Sequence, residues 1–163
     1  MAFNKFPKVK NTSNKEMDRV FKQYPKLAKE TWVAQEKLDG ANIQIEFDGS
    51  DFSVFKRSGP ADHTFYNYYE AIDLQGTAIK ELFGEVASEL ECGVSEITLC
   101  GELFGDGVQK RIRYGPKRFA FFDIKVNGDF VIHPMSLRTS DLFVKYLSVG
   151  TFDELYDGIG SNV

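Results

Sequence analysis

The segment Asn42-Ile-Gln-Ile-Glu-Phe47 alternates strictly between polar and apolar residues. A period of two puts Ile43, Ile45 and Phe47 on one face of a strand and Asn42, Gln44 and Glu46 on the other. Asp48-Gly49-Ser50 reads as a turn, and residues 51–57 as the returning strand of a hairpin. Two further strands are predicted over 96–104 and 118–126, and Asn127-Gly128 turns the second into 129–132. Residues 31–37 are strand-like, while residues 1–12 read as an irregular lead-in. Ser13 and Glu16 form a capping box for a helix from Lys15 to about Tyr24, with Met17, Val20, Phe21 and Tyr24 on one face and a stop at Pro25. Residues 64–91 are predicted helical with a break near Gly76. Ser136 is expected to cap a last helix through Leu147, with Leu142, Phe143 and Tyr146 turned inward. Strands joined mostly by hairpins imply an α+β fold, antiparallel sheets flanked by helices, rather than a doubly wound parallel sheet.

The length of 163 residues suits one domain, residues 1–163. With 24 acidic and 20 basic residues the net charge is −4, which excludes a protein that coats nucleic acid indiscriminately but permits a local basic groove. Cys92 and Cys100 have no metal-ligand spacing, and His63 and His133 stand alone, so no metal site built from protein ligands is expected. No segment reaches ~18 apolar residues, and a soluble, cytoplasmic protein with no membrane contact is the expectation.

Four clusters carry candidate chemistry. The first is Glu36-Lys-Leu-Asp-Gly-Ala-Asn42. An ordinary lysine amine has a pKa of about 10.4 and is a poor nucleophile at neutral pH, so a covalent lysine needs a site that activates and holds it. Lys37 reads either as such a nucleophile or as a surface lysine before an Asp-Gly turn. The second cluster is Lys56-Arg57-Ser58-Gly59-Pro60, two cations before a small polar turn, suited to a phosphate or ribose or else merely solvated. The third is Gly101-Glu102-Leu103-Phe104-Gly105 followed by Gln109-Lys110-Arg111-Ile112-Arg113-Tyr114-Gly115. Glu102 in an apolar strand is costly to bury without a partner, and a ribose hydroxyl or a hydrated metal would serve. The fourth is Phe119-Ala-Phe-Phe-Asp-Ile124, where one aromatic must face away from the core and Asp123 sits among apolar neighbours. The aromatic run 65–69 reads as a base-stacking platform or, by ordinary burial habits, as helix core with tyrosines at its rim.

In this order the clusters resemble the covalent nucleotidyltransferases, a superfamily of ligases and mRNA capping enzymes, and most closely the phage RNA ligase 2 and RNA-editing ligase branch. The resemblance covers about residues 31–124 and implies an adenylation domain. It implies that Lys37 attacks the α-phosphate of ATP to form lysyl-AMP, that AMP passes to an RNA 5′-phosphate, and that a 3′-hydroxyl then seals the strand. It implies roles for Asn42 at metal-bound water and phosphate, Arg57 at ribose and phosphate, and Glu102 at a ribose hydroxyl. Phe122 would stack on adenine with Asp123 beside it, and the backbone near Gln35 and Glu36 would read the adenine edge. Mg²⁺ would accompany ATP, and the partners would be RNA ends in nicked or broken duplexes.

The family's later glutamate motif and Lys-x-Lys motif have no counterpart in residues 125–163, where Lys125 and Lys145 are isolated. A fragment or a naturally short gene product is the expectation, weak or inactive in sealing unless a missing C-terminal portion or a separate polypeptide completes it. Two alternatives stay open: a catalytically incomplete nucleotide- or RNA-binding module, and a DNA ligase or capping-type enzyme.

Overall fold

The computed structural model describes residues 3–7, 13–91, 93–131 and 141–160. The chain divides into two compact units, one of residues 1–6 and 37–144, the other of residues 7–36 and 145–163.

The larger unit is built on a six-stranded antiparallel sheet. Its strands are β2 (Ala41–Phe47), β3 (Phe52–Lys56), β4 (Gly59–Pro60), β5 (Ile97–Phe104), β6 (Arg118–Val126) and β7 (Asp129–Phe130), in the spatial order β4-β3-β2-β5-β6-β7. The alternation in β2 is realised: Ile43, Ile45 and Phe47 are buried and lie beside Gly101, Leu99 and Ile97 of β5. Helix α2 (Tyr69–Glu89) packs on this face through Ala71, Ile79 and Leu82. Fully burying each Ile or Leu there contributes roughly 2 kcal/mol.

Helix α2 runs unbroken through Gly76, whose buried Cα lies against the Phe52 ring. The predicted helical segment starts too early, because residues 65–68 form turns in which Tyr66 and Asn67 have φ of 50° and 48°. Buried Gln75 of α2 donates to the Phe119 carbonyl at 3.0 Å and accepts from the Phe119 N–H at 2.6 Å. That carboxamide satisfies the edge of β6 where no described strand pairs. The same edge continues at Phe121, whose N–H donates to Leu142 O and whose carbonyl accepts from Val144 N–H, each at 2.8 Å.

This edge overturns the helix predicted through Leu147. Residues 142–144 are extended alongside β6, with Phe143 bridging Phe121 in parallel, and strand follows from Tyr146. Leu142 and Phe143 are buried, as expected, but by backbone pairing rather than on a helix face. The proposed cap Ser136 lies outside the described residues.

The smaller unit holds α1 (Asn14–Gln23), a 3₁₀ turn (Pro25–Lys29), β1 (Trp32–Gln35), β8 (Tyr146–Gly150) and α3 (Phe152–Gly160). Strands β1 and β8 pair antiparallel. Ser13 caps α1 by accepting from the Glu16 N–H at 3.4 Å. A second capping box, absent from the sequence reading, starts α3: Thr151 N–H donates to the Glu154 carboxylate at 2.9 Å, and Glu154 N–H returns to the Thr151 hydroxyl at 3.4 Å. Phe21, Trp32 and Phe152 meet edge-to-face at centroid distances of 5.3–6.3 Å.

Candidate active site

The face of the sheet opposite α2 carries candidate residues. Asn42 and Glu102 are register partners on β2 and β5, so strand alternation aims both away from the core. Gly40, just before β2, passes so close to the Leu103 carbonyl that a Cβ would collide with it. The Asp39-Gly40 step is therefore a close approach to β5 and not a hairpin turn. Both Lys37 and Asp39 are exposed.

Between Cys100 and Gly101 the β5–β6 register slips: Cys100 faces Asp123, whereas Gly101 faces Phe121. One residue of β6, Phe122, is thus extra. Phe119, Phe121, Ile124 and Val126 all remain buried, so this bulge turns the consecutive pair Phe122-Asp123 out of the core together. Strict alternation would have separated them. Gly101 faces the bulge, and a Cβ there would strike the Ala120 carbonyl, so a larger residue would force the strands apart.

Asn42 and Glu102 border an open cavity of about 530 Å³ together with Gly40, Arg57 and Ser58. Three residues that the sequence reading did not place there join them: Lys5, Phe65 and Tyr66. Lys56 also borders it, its ammonium 5.8 Å from the centre of the Phe65 ring. Within the aromatic run 65–69, Tyr68 is core and stacks on Tyr69, while Phe65 and Tyr66 form a wall of the cavity. The left-handed backbone at Tyr66 and Asn67 is the local device that splits the run.

Burial pushes the Glu102 carboxyl up to about 7. The Asp39 carboxylate adds to the rise, while Lys37, Arg57 and a hydrogen bond from Asn42 act against it. These five groups therefore share one electrostatic neighbourhood. Asn42 also makes a long contact from Nδ2 to Gly101 O at 3.5 Å. Asp123, opposite Cys100, accepts from the Ile124 N–H at 3.1 Å. Burial pushes the Cys100 thiol up to about 12, so it is an inert core group.

Phe122 is half-buried and meets Phe6 edge-to-face at 5.1 Å. Gln35 and Glu36 belong to the other unit. Gln35 pairs with Tyr146 at the end of β1, and the Glu36 N–H donates to Lys145 O at 3.0 Å. Among the described residues no three His, Cys, Asp or Glu side chains cluster to hold a metal ion, and no helix is long and apolar enough to cross a membrane.

An antiparallel sheet with a lysine before its central strand, and polar residues converging on one face, defines a class of fold shared with solved ligases. An archaeal ATP-dependent RNA ligase matches with a TM-score of 0.64 at 20% identity, over 96% of this chain and 40% of that one. A Naegleria gruberi RNA ligase mutant with ATP and Mn matches with a TM-score of 0.60 at 15% identity, over 91% of this chain and 45% of that one. A second mutant of that ligase, with AMP and Mn, matches with a TM-score of 0.60 at 16% identity, over 94% of this chain and 48% of that one. The chain thus spans less than half the length of these structures. The RNA ligase family model matches residues 30–161, and the chain belongs to the RNA ligase family.

Proposed function

We propose that the protein is the nucleotide-binding part of an ATP-dependent RNA ligase, in which Lys37 forms a covalent adenylate. The observation that carries this reading is the convergence of Asn42, Arg57 and Glu102 on one open cavity, with Lys37 close enough to act on the Glu102 carboxyl, in a chain of the RNA ligase family. In the first step the Lys37 Nζ lone pair forms a bond to the α-phosphorus, the bond from that phosphorus to the bridging oxygen breaks, and pyrophosphate leaves. The Lys37 ammonium loses one proton to solvent to expose the lone pair and a second as the bond forms, leaving one N–H in the phosphoramidate. The adenylate then moves to an RNA 5′-phosphate, and attack by a 3′-hydroxyl joins the strands and releases AMP. Phosphoryl transfer of this kind depends on alignment and on neutralising oxygen charge.

The residues divide that work. Arg57 offers a planar fork to ribose and phosphate oxygens. Glu102, once ionised, accepts from a ribose hydroxyl, and Asn42 orients it. Phe122 stacks on the adenine and Asp123 flanks it. The backbone at Gln35 and Glu36 reads the base edge.

The oxygen donors of Asn42, Asp39 and Glu102 suit a hard, hydrated divalent cation such as Mg²⁺ that arrives with the triphosphate. When bound, the ion neutralises phosphate charge. Ends of nicked or broken duplex RNA are the proposed substrate. A cytoplasmic setting, where thiols stay reduced, fits the free Cys100.

The test is incubation with ATP labelled at the α-phosphate and Mg²⁺, followed by a denaturing gel. Label that survives denaturation and requires Lys37 supports the reading; GTP in place of ATP should label poorly. Equal labelling of a Lys37→Met variant would sink it.

A further inference from the structure

Residues 3–6, part of the segment that reads as an irregular lead-in, lie across the polar face of the sheet, within the same compact unit. Phe3 stacks on Phe55 of β3, with ring centres 4.9 Å apart and planes 14° from parallel. Three residues on, Phe6 meets Phe122 at 5.1 Å and Phe130 at 5.9 Å, both edge-to-face. In the order β3-β2-β5-β6 the two anchors therefore bracket β2 and β5, the strands that carry Asn42 and Glu102. Aromatic pairs in these geometries add a favourable ring–ring attraction to the area they bury, and together they fix a short strap. Lys5 sits between the anchors, exposed, and borders the cavity with Asn42, Arg57 and Glu102.

We propose that this strap is a working part of the nucleotide site and that Lys5 is a binding residue for the phosphates beyond the α-phosphate. The inference rests on the nucleotide reading of the cavity. A nucleoside triphosphate carries most of its charge on those terminal phosphates. Lys37 is committed to the α-phosphorus and Arg57 to the ribose side. Of the other two cations bordering the cavity, Lys56 is drawn over the Phe65 ring. Lys5 is the cation that the strap delivers to the terminal phosphates, as a flexible point charge suited to such oxygens. Phe6 packs edge-to-face on Phe122, so if adenine stacks on that ring as proposed, the strap also couples base stacking to phosphate contact.

The test is calorimetric titration of the whole chain, with Mg²⁺, using AMP and the α,β-methylene analogue of ATP, which cannot transfer its adenylate. Lys5→Ala should weaken the triphosphate analogue about 10-fold, the loss of one charge-assisted contact, and leave AMP within about 2-fold. Lys5→Glu should weaken the analogue further, and Lys5→Arg should restore most of the affinity. Thermal unfolding should not change, since the side chain is exposed. Equal losses for AMP and the analogue would show that the strap only shapes the cavity, and no loss for either would remove Lys5 from the site; both outcomes overturn the proposal while the nucleotide reading stands. Wild-type protein that binds neither ligand would overturn both.

Discussion

The two faces of the six-stranded sheet divide the molecule's tasks. Toward α2, Ile43, Ile45, Ile97, Leu99, Phe119 and Phe121 are buried, and the buried polar side chain of Gln75 is matched atom for atom to the Phe119 backbone. Away from α2, the same strands present Asn42, Glu102 and Asp123, and burial raises the Glu102 carboxyl instead of excluding it. Alternation along β2 and β5 thus assigns neighbouring residues to opposite duties. Substitutions on the first face should cost stability and spare nucleotide chemistry; those on the second should do the reverse.

The largest expected effect is on the polar side. Lys37→Met should abolish covalent labelling by ATP while moving stability by no more than about 0.5 kcal/mol, as for other exposed positions. Denaturant unfolding and the labelling gel, run on the same preparation, check both halves. Leu99→Ala, on the α2 face, should cost about 3 kcal/mol through lost burial and a residual cavity. Labelling per folded molecule should persist at low temperature, and its loss in a folded Leu99→Ala protein would break the division of duties.

Gln75→Leu should cost about 1–3 kcal/mol, because it leaves the Phe119 N–H and carbonyl buried without partners. Hydrogen exchange at the Phe119 amide should rise with it.

Glu102→Gln sharpens the comparison from the other direction. The folded carboxyl titrates near 7 against an ordinary value of 4.5, so the fold favours the protonated form. Its stabilising contribution is full below about pH 4.5 and is lost as pH rises through 7. The neutral Gln variant should therefore unfold like wild type at pH 4 and be more stable by about 1–2 kcal/mol at pH 8, while binding ATP less well. Thermal melts at the two pH values measure this, and parallel pH profiles for the two proteins would contradict it. The smallest effect belongs to the other unit, where Thr151→Ala removes the cap of α3 at a cost of about 1 kcal/mol. Loss of helical signal without loss of labelling checks it.

The strands were legible wherever period two was clean: β2, β3, β5 and β6 fall within a residue or two of their predicted spans, and Asn127-Gly128 turns the chain with φ of 50° and 88°. Lys37, Asn42, Arg57 and Glu102 were picked out by their order; Asn42, Arg57 and Glu102 border one cavity, while Lys37 acts on the Glu102 carboxyl without bordering it. The Phe122-Asp123 pair was legible as chemistry but not as geometry, because a bulge depends on the partner strand. Residues 142–147 failed for a related reason. Their apolar spacing fits a helix, but the open edge of β6 offers backbone partners, and tertiary pairing overrides local preference. The strap at residues 3–6 carried a local hint, two aromatics spaced around a lysine, yet its place depends on Phe55 and Phe122, far along the chain. The Thr151–Glu154 cap was visible in principle and was hidden by the expected end of helix at Leu147.

The central claim is that the polar face carries a covalent nucleotide on Lys37. Intact-mass measurement after incubation with ATP and Mg²⁺, followed by peptide mapping, tests it most directly. The expected result is the mass gain of one adenylate, mapped to Lys37 and absent from Lys37→Met. An adenylate on another residue, or none at all from a folded protein that binds ATP, would contradict it.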